Sequence, residues 1–190
     1  SKGNRWQLLI ERLAPGTLEG GEVKNYAEFV KSLGALRGQI GSARADQKIN
    51  TIVSISSLHV YSQAFSLPLI EGENLERAVD LNLQVVSPTG SAENYSGWQI
   101  IGKDTSSGRM EILSAFAKRD LLDRVKQALR EADFLPVAVE FKALALTRFL
   151  REAGSGFDKL KSYLVLYLDA SGLDIIVVRH GELYFEYFNS

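Results

Sequence analysis

The spacing of hydrophobic and polar positions changes several times along the chain, and each change predicts an element. Trp6, Leu8 and Ile10 fall on one face against Gln7 and Glu11, the period of a half-buried strand, which Ala14-Pro15-Gly16 ends. After a Gly-rich link, Asn25 and Glu28 form a capping-box pattern, and Tyr26, Phe29, Val30, Leu33, Leu36 and Ile40 follow helical spacing. Thr51 to Ile55 and His59 to Leu67 read as two strands, the second closed by Pro68. Glu73 to Val86 predicts a helix with Leu75, Val79, Leu83 and Val86 inward, and Ser87 to Gly97, rich in Pro, Gly, Ser and Asn, reads as a long loop.

Trp98 to Ile101 and Arg109 to Ala117 predict a hairpin joined through Gly102 to Gly108. Asp120 is placed to cap a helix whose stripe is Leu121, Leu122, Val125, Ala128 and Leu129, ending before Phe134-Leu135-Pro136. Val137 to Phe141 predicts a strand. The helix after it carries Leu144, Ala145, Phe149 and Leu150 as its apolar face and closes at Gly154-Ser155-Gly156. Tyr163 to Leu168 is almost wholly apolar, as a strand covered on both faces would be. Leu173 to Val178 and Leu183 to Phe188 then flank an Arg179-His180-Gly181 turn. Eight or nine strands and four helices in mixed order predict an α/β or α+β chain.

Composition removes several function classes. The 22 basic and 23 acidic residues leave a net charge of −1, so no global positive field gathers nucleic acid or an anionic membrane. With no cysteine and only His59 and His180, thiol nucleophiles and multi-histidine metal sites are excluded, and a reducing compartment is expected. No window approaches the roughly 20 apolar residues of a membrane span, so no insertion by this chain is expected.

Gly97 to Asp104 has the glycine and lysine spacing of a phosphate-binding P-loop. Asp104, however, stands where a Ser or Thr must hold magnesium, and the apolar interior Trp98 to Ile101 reads as strand. Ser54, Ser56 and Ser57 near His59 lack a third orienting group and read as strand polar positions. Asn94-Tyr95-Ser96 matches a glycosylation acceptor by chance. Asp169 ends an apolar strand and is followed by Ala170-Ser171-Gly172 at a hairpin tip. Such a tip brings backbone N–H groups to a phosphate while the carboxylate holds a cation, and the alternative is an ordinary Asp-Ser-Gly turn. Asp169, Ser171 and Gly172 are therefore the candidate phosphate-loop residues; no catalytic or metal-ligating set is expected.

Together these segments resemble the actin-like type IV pilus assembly family of PilM, related to the cell-division protein FtsA and to the cytoplasmic part of the type II secretion protein GspL. Leu13 to Val23 is similar to the family's link from a strand into its first helix, and Thr51 to Ile55 to the next sheet strand. His59 to Pro68 resembles the strand opening an inserted subdomain, and Arg109 to Leu122 the strand and helix that close it. Val139 to Arg148 resembles the return helix, and Tyr163 to Leu183 the opening hairpin of the second actin-like domain. The resemblance implies a partial actin-like, ribonuclease H-like α/β fold. Residues 1–57 and 136–160 would form an incomplete first subdomain, 58–135 the inserted α/β subdomain, and 161–190 the opening strands of a second.

The departures carry the functional expectation. The second phosphate loop keeps Asp169 but loses its first glycine and threonine pair and is about two residues shorter, so that fewer N–H donors face a phosphate and the backbone approaches it less freely. Lys142 stands where PilM-like sequences carry an acidic residue near the attacking water, so the carboxylate that positions water is missing. No first phosphate loop or adenine element is present in the chain. We therefore expect either a piece of a longer actin-like protein or a degenerate relative that kept the fold. The resemblance implies a non-catalytic cytoplasmic scaffold at the inner-membrane face, in a type IV pilus or type II secretion assembly platform. Its partner would be the cytoplasmic tail of a bitopic membrane protein. No cofactor is expected in this chain, with ATP and magnesium reserved for a longer intact protein, and no nucleic acid. The alternatives are a nucleotide-dependent actin-like ATPase completed by further residues, or an FtsA-like cell-division adaptor. An exposed Leu183 to Phe188 edge would add homodimerisation.

Overall fold

A computed structural model of the chain describes residues 7–40, 47–87, 92–153, 156–169 and 172–189. Among them lie ten strands, four α-helices and one 3-10 turn. They form two compact units, one drawn from Ser1–Val53 and Leu121–Val139, the other from Ser54–Asp120 and Glu140–Ser190.

In the first unit, β1 (Leu18–Glu19) and β2 (Glu22–Val23) make a two-residue antiparallel ladder around Gly20 and Gly21, both at positive φ. Helix α1 (Tyr26–Gly38) starts where predicted, because the Asn25 side chain accepts the Glu28 N–H at 3.2 Å and satisfies one orphan donor of the first turn. Strand β3 (Ile49–Ile55) pairs with β7 (Phe134–Phe141). Leu129, Ala132 and Phe134 form the core, with Leu33, Ile49, Val53 and Val125 packed against it. Three of these come from α3 (Arg119–Glu131) and the residue just after it.

The second unit holds an antiparallel sheet of β4 (Val60–Pro68), β5 (Asn94–Asp104) and β6 (Arg109–Lys118), in the order β4-β6-β5. Helix α2 (Glu73–Val86) lays Leu75, Val79 and Leu83 against Met110, Ile112 and Phe116, the face its period assigned to it. The opposite side of β6 presents Leu113 to a second cluster with Phe141, Ala143, Ile176, Val178 and Leu183. Those residues bring in α4 (Lys142–Ala153) and a second antiparallel sheet of β8 (Ser162–Asp169), β9 (Gly172–Arg179) and β10 (Glu182–Asn189), with β9 in the middle.

Several expectations need correction. No strand forms over 7–14, and Leu8 and Ile10 are exposed; Trp6 lies outside the described residues. Alternation alone cannot make a strand, since its backbone groups need a neighbour, and among the described residues none pairs with this segment. The loop expected to Gly97 ends at Asn94, where β5 begins, and 88–91 lie outside the described residues. Phe134-Leu135-Pro136 belongs to β7 instead of preceding it. Phe149 is 65% exposed. The inward face of α4 is set by Ala143 and Thr147, one turn apart, which leaves position 149 on the far side at about 100° per residue. Gly154 and Ser155 lie outside the described residues.

The apolar strand β8 is not covered on both faces. Tyr163 and Val165 pack inward, while Leu164, Leu166 and Leu168 are exposed. In register with them stand Val177, Ile175 and Leu173 of β9, then Phe185 and Tyr187 of β10. One face of this sheet is thus an uncharged apolar surface. The other carries charge.

Candidate functional site

The charged face is built on one cross-strand row. Asp174 of β9 lies opposite Tyr167 of β8 and opposite Phe188 of β10, so these three side chains share the inner side of the sheet. Asp169 is two residues beyond Tyr167 on the same face, and its register partner is Gly172. Gly172 has φ 144, a conformation that costs other residues but not glycine, and this lets the chain turn back tightly after Asp169.

Over this row lies Lys142, the first residue of α4. Its Nζ is 2.9 Å from Asp169 Oδ2 and 2.6 Å from Asp174 Oδ2, and its ammonium sits 4.9 Å from the Tyr167 ring centre and 5.6 Å from that of Phe188. Two carboxylates and two aromatic faces enclose one cation. Burial alone would lower the Lys142 pKa, but the hydrogen bonds to Asp174 and Asp169 outweigh it and hold the ammonium above its ordinary value.

Asp174 is 1% exposed, and among the described residues its Oδ1 has no hydrogen-bond donor. Glu186 of β10 adds a third acid, one residue pair along the same inner face opposite Ile176. Burial pushes its pKa up to about 7, and the Asp174 charge adds to the rise, while Ser57, Ser62 and Lys142 pull the other way. Its Oε2 finds no donor among the described residues. The cluster therefore holds one fixed cation among three acids, and the most buried part of that negative charge is only partly met by donors.

Of the candidate residues, Asp169 and Gly172 fall together at this site, and Ser171 lies outside the described residues. Lys142 joins them. Asp174, Glu186, Tyr167 and Phe188 were not anticipated as site residues; the one signal available was an acid embedded in each of two apolar strands, Leu173 to Val178 and Leu183 to Phe188. A divalent cation does not fit between Asp169 and Asp174, because the Lys142 ammonium already stands there. Among the described residues no group of three or more His, Asp or Glu side chains is arranged to hold a metal. Gly97 to Asp104 runs as extended strand in β5, so its backbone N–H groups do not converge on a phosphate. Near His59, Ser56 Oγ accepts the Leu58 N–H at 3.3 Å and caps the 3-10 turn Ser57–His59.

A second feature of the same unit is a cleft of about 690 Å³ lined by Ile101, Lys103, Arg109, Glu111, Arg179 and His180, among others. Arg109 Nε donates to Ser66 Oγ at 2.9 Å. Asp104, also at its edge, is taken up by its own turn, where its carboxylate accepts the Ser106 and Ser107 N–H groups at 2.9 and 3.3 Å. No helix among the described residues is long and apolar enough to cross a membrane.

No family model matches the sequence, and no curated protein matches it. Solved structures do. A chain of the PilM-PilN type IV pilus biogenesis complex aligns over 92% of this chain and 51% of its own length, with 21% identity and a TM-score of 0.72. The cytoplasmic domain of EpsL, an inner-membrane component of the type II secretion system of Vibrio cholerae, aligns over 79% of this chain and 56% of its own, with 9% identity and a TM-score of 0.50. A Bacteroides thetaiotaomicron protein described as having an actin-like ATPase fold and unknown function aligns at 10% identity over 84% of this chain and 55% of its own, with a TM-score of 0.41. The chain thus spans about half the length of these structures. Its mixed α/β fold is therefore similar to that of the PilM-PilN complex chain, shared at low sequence identity.

Proposed function

We propose that this chain is a cytoplasmic scaffold of a type IV pilus or type II secretion inner-membrane platform, and that it binds the cytoplasmic tail of a membrane partner without nucleotide chemistry of its own. The observation that carries this reading is the commitment of Asp169 and Asp174 to Lys142. An actin-like phosphate loop works by offering a free carboxylate to a hydrated cation and free N–H groups to a phosphate. Here both carboxylates are already engaged by one ammonium side chain, in a fold similar to that of a pilus biogenesis complex and of a secretion-system cytoplasmic domain.

The cleft beside Lys103, Arg109 and Arg179 supports tail binding. Its three cationic side chains face two carboxylates, one of them engaged in its own turn, which suits an extended segment carrying a carboxylate. The test is calorimetry of the chain with magnesium-ATP, and separately with peptides copied from the cytoplasmic segments of bitopic pilus and secretion proteins. We expect saturable binding of one such peptide, weakened by Lys103→Glu, and none of magnesium-ATP. Binding of magnesium-ATP by the folded chain would overturn the reading in favour of a nucleotide-dependent protein, the alternative that the preserved Asp169–Gly172 turn favours.

A further inference from the structure

Lys142 deserves its own assignment. It does not ride on the surface as a solvated charge, since its side chain is 15% exposed. It is not a simple partner of one acid either, because it touches two carboxylates from two different strands and lies over two rings. That coordination is what a small inorganic cation would receive in the same place: two carboxylate oxygens within 3 Å, one of them on a residue sealed from water. The difference is that the cation is covalently attached to the start of α4.

We propose that Lys142 is the resident cation of this site, a tethered replacement for a divalent metal that keeps Asp169 and Asp174 closed to a metal-bound phosphate. The inference rests on the scaffold reading above and deepens it. Like charges at this range repel strongly at the low effective dielectric of a half-buried site, so a metal and the ammonium exclude one another. The attachment also means that the cation does not exchange with solvent. The site therefore has a fixed charge at all magnesium concentrations, and the packing of α4 on the sheet is independent of metal supply.

The test removes the tether and asks for the metal. Wild type, Lys142→Ala, Lys142→Arg and the triple variant Lys142→Ala/Asp169→Asn/Asp174→Asn are titrated with manganese, followed by the loss of the free-ion electron paramagnetic signal, and with magnesium by calorimetry. Lys142→Ala is expected to gain one saturable site, at least tenfold tighter than any binding by wild type or the triple variant. Lys142→Arg, which keeps a cation, gains none. If Lys142→Ala folds only with divalent ion present, that dependence is the same result read through stability. A folded Lys142→Ala that binds no more metal than wild type overturns the proposal, and so does an unfolded Lys142→Ala that 10-fold excess metal does not restore. Wild type binding magnesium-ATP would instead sink the scaffold reading, so the two failures are distinguishable.

Discussion

Lys142 Nζ and Asp174 Oδ2 stand 2.6 Å apart, and the carboxylate of that pair is shut away from water. A buried pair adds little net stability over apolar residues of the same shape, yet breaking it leaves a charge that water cannot reach. Lys142→Met is therefore expected to destabilise the fold by about 3–5 kcal/mol, whereas Lys142→Met/Asp174→Asn recovers most of that loss. Urea unfolding of the three proteins checks this. Equal losses in the single and double variants would mean that the pair is not coupled.

Glu186 gives the protein a pH dependence with a defined sign. Its carboxyl rises from 4.5 when solvated to about 7 when folded, so between those values the folded chain holds a proton that the unfolded chain releases. Stability is full below about pH 4.5 and falls as pH rises through 7, by about 3 kcal/mol for a shift of this size in a largely buried group. Glu186→Gln should flatten that part of the curve and leave the variant more stable than wild type at pH 8. Unfolding midpoints measured from pH 4.5 to 8.5 decide it.

Asp104 acts in the opposite direction. The hydroxyls and N–H groups of Ser106 and Ser107 hold its carboxylate down to about 2, below the usual 3.8. Its help to the β5–β6 turn is present above pH 3.8 and disappears as pH falls toward 2. Asp104→Ala should speed amide exchange at Ser106 and Ser107 several-fold near neutral pH, with β4 and the centre of β6 unaffected.

The uncharged face of Leu164, Leu166, Leu168, Phe185 and Tyr187 predicts self-association. Its exposed area is on the order of 600 Å², near the upper size of apolar patches on monomers and approaching the roughly 800 Å² that each partner buries in a standard interface. A second copy presents a chemically matching face. Leu166→Lys should shift sedimentation toward the monomer, while Leu81→Lys, on an exposed position of α2, should not. A wild-type mass of one chain at every concentration would rule the association out.

How far the fold could be read in advance depended on whether an element carries its own signal. Helix α2 begins and ends where its apolar period does, and α1 begins at the Asn25 cap, because both are decided within one or two turns of chain. The β9–β10 turn was legible from Arg179-His180-Gly181, with His180 and Gly181 both at positive φ. The failures have a common cause: they turn on neighbours. Leu8 and Ile10 alternate correctly but have no strand beside them among the described residues, and the apolar run of β8 says nothing of which face is covered. Of the site, Asp169 was legible from its place at a hairpin tip. Glu186 was not, since strict alternation from Leu183 would turn Phe185 and Tyr187 inward and Glu186 out.

That reversal traces to the bulge between Leu183 and Phe185. One additional residue, Tyr184, resets the phase of the last strand, so that Leu183, Glu186 and Phe188 share the inner side. A regular ladder that counted Tyr184 would export the acid, draw Phe185 and Tyr187 toward Asp174, and exchange the oily and the charged sides of β10 in one step, whereas deleting Tyr184 would leave Glu186 inside, because Leu183 and Phe185 would then alternate without the bulge. A point substitution of Tyr184 has no such effect. The division of labour between the two faces of this sheet therefore depends on one residue being left out of the ladder.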